Sequence, residues 1–183
     1  MGIRLFVENH VDGGADAVGK ALADPGLREF FSQMFVAAGW YDILPIVEIS
    51  QVIGSVMGLD RLEYVRRSAM WHAELDMKGV YKSFGKLPSP EAVCLRFASM
   101  HAQFYDFGKV EILEVGKNEV KSQLSGMPGV LAPWWQTAAE WYIYVILKAA
   151  GAKNGRLTFL PSRPGGSHAG VELITVPSVT LWD

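Results

Sequence analysis

Between Ser89 and Trp135 the apolar pattern changes its period twice, and few folds accommodate that order. The stretch reads SPEAVCLRFASMHAQFYDFGKVEILEVGKNEVKSQLSGMPGVLAPWW. Ser89 suits a helix cap and Pro90 the first helical position, and Val93, Phe97, Met100 and Phe104 recur at helical spacing. Cys94, Phe97, His101 and Phe104 also share a face by that period, so the His101 imidazole is expected to look toward the core or a pocket. After Phe107 the pattern shortens to KVEILEV and EVKSQLS, split by Gly116-Lys117-Asn118, which predicts a two-stranded hairpin. A loop over Gly126-Met127-Pro128-Gly129 then leads into a second apolar helix from near Pro133.

The rest of the chain is long enough to bury such a unit. Its 183 residues are 50% hydrophobic and 20% charged, which predicts one domain, 1–183, with a true core. The 6 Trp, 6 Tyr and 9 Phe suit the lining of an apolar cavity as well as its filling. A net charge of −2, without clustered Lys and Arg, speaks against nucleic acid as a partner. One cysteine rules out an intrachain disulfide and a multi-cysteine zinc site, so a reducing, cytoplasmic setting is the expectation. The start, MGIRLF, has neither a signal-peptide layout nor a myristoylation pattern. Trp141 to Leu147, the most apolar run, is too short to span a bilayer.

Upstream of Ser89 the readings are helical. Ile3 to Val7 reads either as a short strand or as the start of a helix, the strand being favoured. His10 and Asp12 fall in a polar turn; without a third ligand the pair is expected to be a surface turn rather than a metal or acid–base site. A small helix is predicted over Ala15 to Ala23 and a stronger one over Leu27 to Ala38, with Phe30, Phe31, Met34 and Phe35 on a wide apolar face and Gly39 at its end. A further helix from about Pro45 carries Ile46, Ile49 and Ile53 inward and stops at Gly58. Asp60 and Glu63 resemble a capping box for the longest helix, Arg61 to about Ser83. There His72 stands four residues before Asp76, close enough to pair with it.

Downstream, Pro133 to Ala150 is predicted as a helix with Trp134, Ala138, Trp141 and Val145 in one stripe, ended by Gly151. Trp135 and Tyr142 widen that surface, for burial or for a dimer contact. Arg156 to Leu160 and Gly170 to Val176 read as strands around the loop PSRPGGSHAG, which holds Arg163 and His168 and is expected to be a flexible connection rather than a phosphate loop. The predicted class is α+β: an N-terminal helical part packed on a C-terminal antiparallel sheet of ββαββ order.

These segments resemble the heme nitric oxide/oxygen-binding (H-NOX) domain. Ser99-Met100-His101 is similar to that family's Asn-Leu-His step, Leu131-Ala132-Pro133 to its Gly-Leu-x-Pro-like step, and GLDRLEYVRRSAMWHAELDMKGVYKSF to its long middle helix. The resemblance implies that His101 is the metal ligand, the proximal ligand of a heme iron, with Phe97, Cys94, Phe104 and Met100 about the cofactor. The family's Tyr-x-Ser-x-Arg motif, which holds the heme propionates, is replaced here by Leu124, Gly126 and Pro128, none of them a side-chain donor. The connection from His101 to the hairpin is also short for that family. The Trp40-Tyr41 step and the terminal strand order look like those of small uncharacterised myxobacterial domains that resemble H-NOX but lack its anchor. The 4-vinyl-reductase-type domains and TRAPP-type subunits are related folds.

Two functional expectations follow. In the first, the chain is a non-catalytic small-ligand-binding or sensory domain with an apolar cavity, taking heme and a gas through His101 or another apolar ligand beside it. In the second, the interior is filled by its own side chains, and the domain is a ligand-free assembly module presenting its Trp-rich helix to a homodimer mate or a signalling partner. An enzyme is not expected, because no nucleophile elbow, paired carboxylates or HExxH spacing occurs. Cys94, buried in an apolar helix face, reads as core filler.

Overall fold

The computed structural model describes residues 2–36, 39–79 and 89–183. The chain forms two compact units, Met1–His72 and Ala73–Asp183.

The first unit is helical. It contains α1 (Gly2–His10), α2 (Gly14–Ala21), α3 (Pro25–Ser32), α4 (Ile46–Val56) and most of α5 (Arg61–Lys78). Ile3 to Val7, favoured as a strand from sequence, is helix. The reason lies in Phe6 and Val7, both buried: a strand would send adjacent side chains to opposite faces, whereas a helix turns both into one packing surface. Rings from α5 close over Phe6, with Tyr64 and Trp71 each at 5.7 Å, edge to face.

The starts and stops follow local chemistry. Asp24 caps α3 by accepting from Leu27 N at 2.9 Å, with Pro25 at the first position. α3 ends at Ser32, well short of the predicted Ala38, which lies outside the described residues. The chain turns extended at Gln33, and Phe35 folds back on Phe30 at 5.4 Å and Tyr41 at 4.7 Å, while Met34 is left 85% exposed. α4 places Ile46, Ile49 and Ile53 in the core as the spacing predicts. Its end is a paired bond set, Leu59 N to Gly54 O and Gly58 N to Ser55 O, which requires the left-handed Gly58 at φ 68°. Asp60 then accepts from the amides of Leu62 and Glu63, but Glu63 completes no box: its carboxylate takes Arg66 and Arg67, each at 2.7 Å. The described part of α5 ends at Lys78; residues 80–88, which include the predicted end at Ser83, lie outside the described residues.

Among the described residues the second unit is a sheet with two helices and the end of α5. α6 (Pro90–Phe104) leads into β1 (Lys109–Gly116) and β2 (Glu119–Pro128); a 3₁₀ turn (Gly129–Leu131) delivers α7 (Ala132–Ala149); then come β3 (Arg156–Phe159), β4 (Arg163–His168) and β5 (Val171–Leu181). The sheet is antiparallel in the order β1-β2-β5-β3, with β4 also paired to β5. One face is the core: Val120 stands opposite Thr180, Ser122 opposite Ser178 and Leu124 opposite Val176, one column of alternating residues on each strand. α6 and α7 cover it with Val93, Cys94, Ile146 and Leu147. The buried hydroxyls on this face are partnered, Ser178 with Ser122 at 2.9 Å.

Two sequence expectations need correction here. Gly126 to Gly129 is no open loop: β2 continues to Pro128 through a bulge between Leu124 and Met127, allowed by Gly126 at φ 73°. Nor is PSRPGGSHAG a flexible connection, because Arg163–His168 pairs with Val171–Thr175 as β4, leaving Arg163 to donate to Gln123 at 3.2 Å and His168 exposed. Among the described residues no helix is long and apolar enough to cross a membrane.

Candidate functional site

α6 is set by its ends. Ser89 accepts from Ala92 N at 3.2 Å, and Pro90 occupies the first turn. From that start the 3.6-residue period turns Val93, Cys94, Met100 and His101 inward, and all four are buried. Phe97 is half-buried and meets Tyr142 at 5.5 Å, edge to face. Phe104, expected on the same face, is 50% exposed. It is the last helical residue, and the chain reverses at Tyr105, whose amide bonds the His101 carbonyl at 3.0 Å.

That reversal brings to His101 a set of residues the spacing did not identify. Tyr105 lies 5.0 Å from the imidazole, Phe107 5.9 Å and Trp135 6.2 Å, centroid to centroid. Phe159 backs Trp135 at 5.8 Å. The Nε2 of His101 lies 2.9 Å from the Phe107 carbonyl oxygen. A carbonyl only accepts, so Nε2 carries the proton and donates. Burial pulls the imidazole below its usual pKa, and the Phe107 bond partly opposes this. Burial also pushes the Tyr105 phenol up to about 12. The local signal for the cluster was the pattern Tyr105-Asp106-Phe107-Gly108, an aromatic alternation ending in a residue with φ 70°.

Cys94, seven residues earlier on α6, carries the chain's single thiol. Its thiol is buried beside the Thr180 hydroxyl, and burial pushes it up to about 11, so it is protonated at neutral pH. Neither it nor His101 is poised as half of a catalytic pair.

The other histidines read from sequence lie elsewhere. In the first unit His72 does not pair with Asp76: its Nδ1 bonds the Ser68 carbonyl at 2.7 Å, and Asp76 instead accepts from Tyr142 at 2.7 Å. The Nε2 of His72 is buried without a hydrogen-bond partner. His10 ends α1, stacked on Phe6 at 4.3 Å with Nδ1 2.9 Å from the Phe6 carbonyl. With Asp12 it borders an open polar groove of about 560 Å³ that Glu8, Gly13 and Asp16 help to line. No group of three His, Cys, Asp or Glu side chains among the described residues is placed to hold a metal ion.

Whether heme fits beside His101 can be tested on these residues. The Nε2 of His101 is already donating to Phe107, which leaves the ring's lone pair on Nδ1. Leu124 and Pro128 are buried in the core, and Gly126 sits at the bulge with the Gly108 Cα only 3.5 Å from where a Cβ would stand. No side-chain donor stands at any of the three positions, so the residues as arranged do not fit a heme held in the manner the resemblance implies.

No family model and no curated protein matches the sequence. Solved structures do match the fold. One, from work on heme distortion in the H-NOX family, superimposes with a TM-score of 0.67 at 11% identity, covering 100% of this chain and 91% of that one. An oxygen-binding H-NOX domain related to soluble guanylate cyclases gives 0.65 at 10% identity over 93% of this chain and 86% of that one. A mutant H-NOX of T. Tengcongensis gives 0.64 at 11% identity over 93% and 88%. The chain therefore has the H-NOX fold, and at this identity the likeness speaks to fold alone.

Proposed function

We propose that this chain, an H-NOX fold over its whole length, is a non-catalytic ligand-binding or sensory module, one domain over 1–183, that takes a small apolar ligand. The observation that carries the reading is the likeness to H-NOX structures across 93–100% of the chain, among them a domain described as oxygen-binding. The side chains agree with a non-catalytic role: the Cys94 thiol is held protonated, and the His101 Nε2 is engaged by backbone. Heme on His101 is the version the sequence resemblance implies; the engaged nitrogen and the donor-free anchor positions count against it.

Native mass spectrometry of the purified full chain, with thermal-shift titrations against a panel of apolar small molecules, tests the reading. A saturable adduct with a rise in Tm is expected. No adduct and no shift across the panel would favour the second reading, a ligand-free assembly module. What supports that alternative is the apolar surface of the first unit, where Met34, Val36 and Trp40 are 85%, 57% and 62% exposed. Sedimentation over a concentration range would then show self-association.

A further inference from the structure

The two places where the resemblance puts heme contacts are both turned onto one short piece of this chain. His101 donates from Nε2 to the Phe107 carbonyl at 2.9 Å, and its ring lies among Tyr105, Phe107 and Trp135. From the other side the β2 bulge closes on the next residue. A Cβ on Gly108 would meet Leu124 Cδ1 at 2.7 Å, Ser125 O at 2.9 Å and Gly126 O at 3.6 Å. Gly108 is itself left-handed at φ 70°, and Gly126 facing it at φ 73°, so two glycines allow the backbones to approach. The connector Tyr105-Asp106-Phe107-Gly108 is thus clamped between the histidine of α6 and the strand segment carrying Leu124 and Gly126.

We infer that His101 is a structural staple, committed through Nε2 to the α6–β1 connector, and that this H-NOX fold works without heme on that histidine. The inference narrows the ligand class of the function proposed above and rests on the same fold reading. Axial ligation needs the lone pair of a ring nitrogen. The ring keeps a lone pair only on Nδ1; at Nε2 it is replaced by a proton bonded to the part-buried Phe107 carbonyl. Freeing it would break the bond and leave the Phe107 oxygen without its donor. Turning Nε2 to a metal would also mean moving the four-residue connector Tyr105–Gly108, which carries the Phe107 carbonyl. No side-chain donor at Leu124, Gly126 or Pro128 would offset that cost by binding a propionate.

The test uses the full chain and hemin itself. Ring nitrogen NMR on the wild type is expected to show a neutral Nε2–H imidazole for His101, and a hemin titration to give no saturable one-to-one Soret band. His101→Ala is expected to lower Tm, and His101→Gln, which restores a donor, to recover part of the loss. A Soret band that saturates in the wild type and vanishes in His101→Ala would overturn the inference, as would an Nδ1–H tautomer. A weak band that survives in His101→Ala places hemin away from the histidine and supports it. The NMR measurement stands even where the alanine variant fails to fold. Hemin bound through His101 would sink the staple and leave a sensory module standing. An apolar panel that yields nothing, with the Nε2–H ring in place, would do the reverse.

Discussion

Tyr142 of α7 donates its phenol proton to the Asp76 carboxylate at 2.7 Å, tying the end of α5 to the helix that lies under the sheet. Sequence spacing had matched Asp76 with His72; the structure spends it on a residue 66 positions away. A hydrogen bond to a charged acceptor contributes about 1.5–3 kcal/mol when dry, and this one is only part-buried. Tyr142→Phe is therefore expected to cost about 1 kcal/mol. A double-mutant cycle with Asp76→Asn, read by denaturant unfolding, should return a coupling of that order, and additivity would deny the bond.

The two facing glycines give a sharper contrast. Gly108→Ala must place a methyl 2.7 Å from Leu124 Cδ1 and 2.9 Å from Ser125 O, on a backbone at φ 70°. The left-handed conformation alone costs an ordinary residue about 1–2 kcal/mol, and overpacking adds about 1–3. Gly126→Ala meets only ordinary contact, at 3.5 Å and 3.8 Å, and should carry the conformational cost alone. The first variant is expected to lose about twice the stability of the second in urea. Equal losses would mean that the connector is not clamped at Gly108.

Cys94 allows a chemical check on the same core. With a thiol pushed up to about 11, roughly one molecule in a thousand carries the thiolate at pH 8, and the residue is 7% exposed besides. Alkylation by iodoacetamide should be negligible in the native protein and rapid in urea. Fast native labelling would show the α6–sheet interface opening far more than this packing implies.

How much of this was legible depended on how local the cause was. The hairpin, α7 and the inward turn of His101 follow from spacing, glycine and proline within a few residues, and the fold matches that reading. α1 was misread because Ile3 to Val7 is too short an apolar run to reveal its period. β4 could not be read at all: RPGGSH is exposed at every position and is a strand only because β5 pairs with it. The exposure of Phe104 and the capture of His101 share one cause, the chain reversal at Tyr105, which periodicity cannot show. The ring neighbours of His101, namely Tyr105, Phe107 and Trp135, all follow it in the chain, and the helical spacing before it could not show them.

Two ionisable groups should leave marks of the same sign on acid stability in different pH windows. Glu63 is held down to about 2 by hydrogen bonds from Arg66 and Arg67, against an ordinary 4.5. A depressed acid stabilises fully above its unfolded pKa and loses that contribution as pH falls through the folded one, so its window runs from about 4.5 to about 2. The group is on the surface, where such pairs contribute little. Glu63→Gln should therefore differ slightly from wild type at pH 6 and match it near pH 2. A difference that persists there would point to something other than charge.

His101 acts earlier and through burial. Its folded pKa lies below the ordinary 6.5, first because the ring is desolvated, with the Phe107 bond opposing. The unfolded chain then binds the extra proton first, so stability is whole above about 6.5 and drains as pH falls below it. The sign is the same as for a depressed carboxylate, but the physical cost is a charge forced into an aromatic enclosure rather than an ion pair lost. Tm measured from pH 8 to pH 5 should fall in the wild type, and the fall should flatten in His101→Gln, which has no proton to gain. If the two slopes are alike, the imidazole is not the group that titrates. If the wild-type Tm rises as pH drops, the ring is charged in the native state and its partner is not the Phe107 carbonyl alone.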